Sequence, residues 1–421
     1  MMSKIIKKKY YRIKFTLQSP MNIGYGEGEK TDRDILRNSV GMPYIPASSI
    51  AGVMSSKMAD DGDKKKYFGE IDKNSGGRSE SRVIFYDAIV SESNKSLYVS
   101  IRDSVALDEY KTAKDGAKFD MEVLEAGTEL ITYIEQSYYD ESDKDYVESV
   151  LKRAVSSGLS FGGKCTRGFG EIKINSINSV CFNLENKDEV DKWLDFDIES
   201  GSHWQSAGID ISTGADKTLT LKLALQGGLS IRRYTTEVNE GDSTSPDMEQ
   251  LKSHTANDNN YAPVIPGTTW AGAIRHRMEE MGADVDKVFG TAGKETKRSE
   301  LSFSESEIKD SKDKVISRNA IDRFTGGTVS GALFTEKICM GGETELDIRW
   351  SGKERINEND ASALAATLSD LHFGLLAIGG ATSIGRGIFR ITSINGKEMQ
   401  DGLDGRHVYD MIFNEIKEAF R

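Results

Sequence analysis

The chain has 421 residues, room for two or three domains at about 150 residues each, and is long enough to bury cores without staples. Its three cysteines, Cys165, Cys181 and Cys339, are odd in number and far apart. That excludes a disulfide scaffold and a Cys/His metal pattern, and makes a reducing cytoplasm the expected compartment. With 55 basic and 67 acidic residues the net charge is −12, which argues against a uniformly basic nucleic-acid binder but leaves a local positive stripe open.

The basic start, MMSKIIKKKYYRIKF, runs into alternation rather than an apolar stretch, so it is not read as a secretory signal. No apolar run reaches the ~18 residues of a membrane helix. Tyr10 to Pro20 alternates with period two and predicts a strand. A polar loop, Gly24 to Asn38, carries Asp32. Then IPASSIAG opens a helix for which Ser48 and Ser49 suit the N-cap. A short strand follows over Val83 to Tyr86. The segment from Arg102 to Leu130 reads as a two-stranded excursion with a glycine-containing tip. Asp143 to Leu159 predicts a second helix. The loop GGKCTRGFG, Gly162 to Gly170, leads into a last strand, GEIKI.

The same order is then written again. Ile45 is answered by Ile265, Arg102 by Arg318, Gly162 by Gly379 and Phe68-Gly69 by Phe289-Gly290, at nearly constant offset. Thr218 to Gly228 repeats the opening strand, and Ile231 to Ser253 the polar loop, with Asp247 and the competing acid Asp242. IPGTTWAG repeats the helix start with Thr268 and Thr269. Leu301 to Phe303, Arg318 to Leu346, Asp360 to Ile378, GGATSIGRG and GIFRI follow. The period is too long for a solenoid, so the chain is a duplicated domain, residues 1–205 and 206–421. Strand, helix, strands, helix, strand is the ferredoxin-like (RRM-like) βαββαβ order, which makes each copy α+β with insertions. Acid-rich stretches such as Asp60-Asp61 and Glu305 to Asp313 read as solvated loops.

Each recurring motif has a chemical and a structural reading. Glycines at 162, 163, 168, 379, 380 and 385 let backbone N–H groups approach a phosphate chain, with Lys164, Arg167 and Arg386 to neutralise it; the alternative is a tight helix-to-strand turn. The helix starts at Ser48-Ser49 and Thr268-Thr269 offer N–H donors to an anion, or are ordinary caps. Arg318 and Arg323 suit phosphate contacts, or decorate a surface hairpin. Asp32 and Asp247 each have a basic residue five positions on, Arg37 and Lys252; such a carboxylate binds a divalent cation, takes a proton, or is only solvated. The five histidines form no catalytic or metal-binding spacing.

IPASSIAG or IPGTTWAG, then RNAIDRFTGGTVSGALF, then GGKCTRGFG, in this order and in both halves, resembles the RAMP superfamily of CRISPR-associated proteins, and among them the backbone subunits of type III effector complexes. The resemblance implies a tandem fusion of two such subunits. Each would hold guide RNA on a ferredoxin-like palm, with Ser48, Ser49, Arg102, Lys164, Arg167, Thr268, Thr269, Arg318, Arg323 and Arg386 among the contacts. A hairpin from the central segment would interrupt the guide–target duplex, with base pairing supplying sequence specificity. Asp32 with Arg37 and Asp247 with Lys252 fit the spacing of members that cut target RNA with Mg²⁺ or another divalent cation. The implied partners are guide RNA, complementary target RNA and other effector subunits, with no membrane. Two alternatives stand: a scaffold of the same fold that does not cut, and a repeat-RNA processing endonuclease. The sequence departs from the family pattern at Ala47, at Ile50-Ala51 and at Trp270-Ala271, so the basic residue usual in that helix start is absent, with Lys57, Arg275 and Arg277 as substitutes. It also has Asp103 where the second copy has Asn319, and Ile384 where the first has Arg167.

Overall fold

The computed structural model describes residues 4–24, 26, 31–58, 61–71, 78–92, 97–107, 113–200, 202–212, 217–234, 246–256, 261–291, 296–400 and 402–421. Asp242, the competing acid of the second polar loop, lies outside them. The chain divides into two compact units, residues 1–165 with 169–216, and residues 217–421 with 166–168.

In the first unit the opening strand, Lys7–Leu17, lies antiparallel between the closing strand, Glu171–Asn183, and the third strand, Glu129–Tyr138. The third strand pairs on its other side with the short second-strand pieces Val83–Phe85 and Ala88–Val90. The order closing, opening, third, second is the ferredoxin-like arrangement, and the fold is α+β as the repeat predicts. Alternation explains the layering: Tyr11, Ile13, Phe15 and Leu17 all point to one face and are buried. Against that face pack Ile50 and Met54 of the helix Ala47–Ser56, and Val147, Val150 and Leu151 of the helix Tyr146–Ser157. Asp145 ties the second helix to the sheet. Its carboxylate caps the helix through the Glu148 N–H and accepts from Lys9 Nζ at 2.5 Å and Tyr11 OH at 2.6 Å. Burial opposes its ionisation, but these partners outweigh burial and hold the carboxyl below the usual carboxylate range.

The second unit repeats the plan with Thr218–Leu225 as opening strand, Leu301–Phe303 and Ser306–Lys309 as second, Glu343–Trp350 as third and Phe389–Ile394 as closing strand. Leu219, Leu221, Leu223 and Leu225 face the helices Gly267–Glu280 and Glu358–His372, through Trp270, Ile274, Leu364 and Leu368. The duplication extends to an irregularity: the opening strand slips register against the closing strand after Lys14 in the first unit and after Lys222 in the second. The helices Asp61–Phe68 and Lys187–Leu194 and a C-terminal one have no counterpart in the sequence reading. The amphipathic helix Gly405–Ala419 buries Val408, Ile412 and Ile416, and beyond it Phe420 stacks on Trp350.

Two expectations are corrected. Ser48-Ser49 and Thr268-Thr269 do not cap their helices: the helices start at Ala47 and Gly267, the N-caps are Pro46 and Pro266, and no side chain caps either. An extended proline, ψ near 141° in both, leads straight into the first turn, and its carbonyl takes the N–H of Ser49 or Thr269. Nor are the acid-rich stretches solvated loops: Asp61 opens the helix Asp61–Phe68, Asp60 lies outside the described residues, and Glu305 to Asp313 carries strands. Ser306 and Ile308 are buried, the second-strand piece Ser306–Lys309 runs through it, and the next strand starts at Lys312.

Candidate active site

Both central segments form hairpins. Val99–Leu107 pairs with Ala113–Leu124, and Lys312–Ile321 pairs with Thr328–Met340. The second turns at Asp322, whose carboxylate accepts from the N–H groups of Phe324 and Thr325 and from the Thr325 hydroxyl. These bonds hold its carboxyl below the usual range. Beside it Arg323 is exposed and Phe324 is 92% exposed. Ile321, Leu333 and Phe334 on the same hairpin are also open to solvent, an apolar surface that a lone monomer has no use for.

The two loop aspartates dock on these hairpins in the same way. In the first unit the Asp32 N–H donates to Asp120 Oδ1 at 2.9 Å, and the Asp120 N–H donates to Asp32 Oδ2 at 2.9 Å. In the second the Asp247 N–H donates to the Thr335 carbonyl at 2.8 Å, and the Thr335 N–H donates to Asp247 Oδ2 at 2.8 Å. Each partner lies 88 residues after its aspartate. Both aspartates are exposed. In each, one carboxylate oxygen is fixed by a backbone N–H, and Oδ1 has no hydrogen-bond partner among the described residues. Just after Asp247, Met248–Gln250 runs parallel to the hairpin strand, with Met248 level with Glu336.

Several basic candidates are already engaged. Arg37 pairs with Glu122 at 2.5 Å and Lys252 with Asp313 at 2.8 Å. Burial opposes ionisation of Asp313, but Lys252 and Lys337 hold it below the usual range. Lys164 lies 4.1 Å over the Phe119 ring, with its ammonium 3.5 Å from Ser104 Oγ. Arg167 is exposed. Arg102 and Arg386 correct the expectation of open phosphate contacts: both are buried, Arg102 beside Glu125 at 3.6 Å and Arg386 on Glu336. Glu336 also takes Arg318 and has Arg232 at 4.0 Å. Burial disfavours its charge, yet Arg386 and Arg318 hold the carboxyl below the usual range. Arg232, Asp247, Arg318, Asn319, Phe334 and Glu336 line one cleft of about 420 Å³.

The glycine loops are primarily turns. Gly163 N–H donates to the Asn22 carbonyl and Gly380 N–H to Ser230, both within 2.9 Å. Gly162, Gly168, Gly379 and Gly385 have positive φ, as a tight reversal requires. The glycines under most pressure are Gly170 and Gly387, which the sequence reading did not single out. Each donates to the end of the opening strand or just beyond it, at Pro20 or Gly228, and accepts from Phe161 or Ile378. Their matched spacing at the ends of GGKCTRGFG and GGATSIGRG was the available signal. Ser48, Ser49, Thr268 and Thr269 lie in the first turns of their helices and are not fully buried.

Among the described residues no three His, Cys, Asp or Glu side chains cluster as a metal cage. What each half offers is a carboxylate with one oxygen open. That donor set fits a cation of the Mg²⁺ type, which keeps several waters and takes one or two carboxylates together with substrate phosphates. Also among the described residues, no helix is long and apolar enough to cross a membrane.

The chain matches the RAMP superfamily over residues 14–173 and 247–390, and so belongs to that superfamily, with one match in each half. It is similar to the CRISPR system Cms endoribonuclease Csm3 of Methanocaldococcus jannaschii, 28% identical over 176 residues, covering 36% of this chain and 70% of the relative. A type III-B Cmr-beta structure in the apo state aligns with 39% of this chain and 96% of its own at 13% identity and a TM-score of 0.31, too weak a likeness to bear on the fold.

Proposed function

We propose that this chain is a tandem backbone subunit of a type III CRISPR effector, with repeats at 1–205 and 206–421. It holds guide RNA and cuts complementary target RNA with Asp32 and Asp247. The observation that carries this reading is that a hairpin backbone N–H, at residue 120 or 335, fixes Oδ2 of each aspartate. Similarity to a Csm3 endoribonuclease supports it. The Ile321–Phe324 tip supplies the apolar wedge of the second half, and Arg167 and Arg323 the surface cations for RNA phosphates.

The chemistry is transesterification. The 2′-hydroxyl of the target gives up its proton to water as its oxygen attacks the adjacent phosphorus, the bond to the 5′-oxygen breaks, and that oxygen takes a proton back from water. The products are a 2′,3′-cyclic phosphate and a 5′-hydroxyl. Asp32 and Asp247 contribute an oriented carboxylate: the N–H bond on Oδ2 fixes the plane and leaves Oδ1 for the reacting groups. Asp32 and Asp247 are the residues that would hold a divalent cation, which would supply charge neutralisation at the phosphate when bound. The hairpin opens the duplex at the cut. Guide-loaded protein with Mg²⁺ is expected to cut labelled complementary RNA at discrete positions, leaving cyclic phosphate ends, and to stop in EDTA. Binding of guide and target without cutting would instead support the scaffold, a reading favoured by the ion pairs that engage Arg37 and Lys252.

A further inference from the structure

The two halves share a plan but not a charge. The Gly163 N–H meets the Asn22 carbonyl and the Gly380 N–H meets Ser230, so Asn22 and Ser230 are equivalent positions. Two residues on, the first half has Gly24 and the second has Arg232. The partner that fixes the aspartate also differs: it is Asp120 in the first half, a second carboxylate, and Thr335 in the second, which is neutral. These two differences make the second cleft more positive by two charges, offset by one negative charge at Glu336, which answers Met121.

Within that cleft the cations are not equivalent. Arg386 is buried on Glu336, and Arg318 bonds the same carboxylate. Arg232 sits 4.0 Å from Glu336, at the limit of an ion pair, with its side chain 40% exposed. Three guanidiniums gather on the single carboxylate of Glu336, and Arg232 holds it most loosely. Its guanidinium lies beside the glycine loop: a Cβ on Gly380 would be 3.7 Å from Arg232 Nε, an ordinary contact distance. A planar guanidinium with open donors beside a carboxylate suits a phosphodiester, which it grips by charge-assisted hydrogen bonds.

We propose that Arg232 is a catalytic residue of the second half alone: it binds the non-bridging oxygens of the target phosphate at the Asp247 cut and neutralises the charge that builds there as the 2′-oxygen attacks. The first half has Gly24 at that position, so this guanidinium belongs to the second half alone. The inference rests on the cutting role proposed for Asp247.

Guide-loaded complexes of wild type, Arg232→Gly, Arg232→Lys and Asp247→Ala would be assayed for single-turnover rates at each cut. Asp247→Ala identifies the cut that belongs to the second half. Arg232→Gly, which installs the first half's residue, should slow that cut about 100-fold, the scale for removing one oxyanion donor, and leave the Asp32-dependent cut unchanged. Arg232→Lys should recover part of the loss. In the Asp247→Ala background, which binds without cutting there, Arg232→Gly should lower the salt slope of target binding by about one phosphate contact. An Asp247-dependent cut with an unchanged rate in Arg232→Gly would overturn the role of Arg232 and spare that of Asp247. Loss of no cut in Asp247→Ala would overturn both.

Discussion

Alanine at Gly387 is expected to unfold the second module, while alanine at Gly385, two residues earlier, is tolerated. Both glycines have a left-handed backbone, φ of 73° and 80°. That conformation alone costs an ordinary residue about 1–2 kcal/mol. The difference lies in the surroundings. A Cβ on Gly385 meets nothing within 4 Å, whereas one on Gly387 would lie 1.8 Å from the Ile378 carbonyl oxygen. Relief would separate Gly387 from Ile378 and from Gly228, breaking both backbone bonds that close the loop onto the sheet. The expected loss exceeds ~4 kcal/mol at Gly387, against about 1 kcal/mol at Gly385. Gly170 faces the same contact with the Phe161 carbonyl in the first module. Urea unfolding of the purified chain measures both. Equal losses for the two variants would show that the pinch at Gly387 is relieved by a small shift, and that the loop is not a rigid clamp.

Removal of the Glu336 carboxylate carries the second large effect. Glu336→Ala leaves Arg386 buried without its partner and Arg318 without its anchor, a loss of ~3–5 kcal/mol on the scale of broken buried ion pairs. The pH dependence has a definite sign. The folded carboxyl titrates below the usual glutamate value of about 4.3, so its stabilisation is full above that value and is lost as pH falls through the lower folded value. Wild type should therefore lose stability on acidification in a window that starts near pH 4.3, and Glu336→Gln should lack that component. Parallel acid curves for the two proteins would show that Arg386 and Arg318 are held by other groups.

The duplication made most of the fold legible. Period-two runs at Tyr10 and Thr218 became the central strands because alternation and burial of one face are the same fact. The helix starts were misread because proline and hydroxyl residues stand side by side in IPASS and IPGTT, and either can precede a first turn. The acid-rich stretch around Ser306 hid a strand because its charges alternate with inward Ser306 and Ile308. Asp32 and Asp247 stand out in the sequence because the loop spacing recurs. Glu336 was not: its partners Arg318 and Arg386 lie 18 and 50 residues away, and no local pattern announces a pairing that only the hairpin and the glycine loop bring about. Arg232 was hidden for the opposite reason, since its counterpart is a glycine and a search for repetition passes over it.

The central claim is that each half cuts with its own aspartate. The most direct test maps the cuts on end-labelled complementary RNA for guide-loaded wild type, Asp32→Ala, Asp247→Ala and the double variant in Mg²⁺. The account predicts that each single change removes a different cut, by at least ~100-fold, that the double change removes both, and that guide and target binding persist in all four forms. An unchanged set of cuts in the double variant would contradict it.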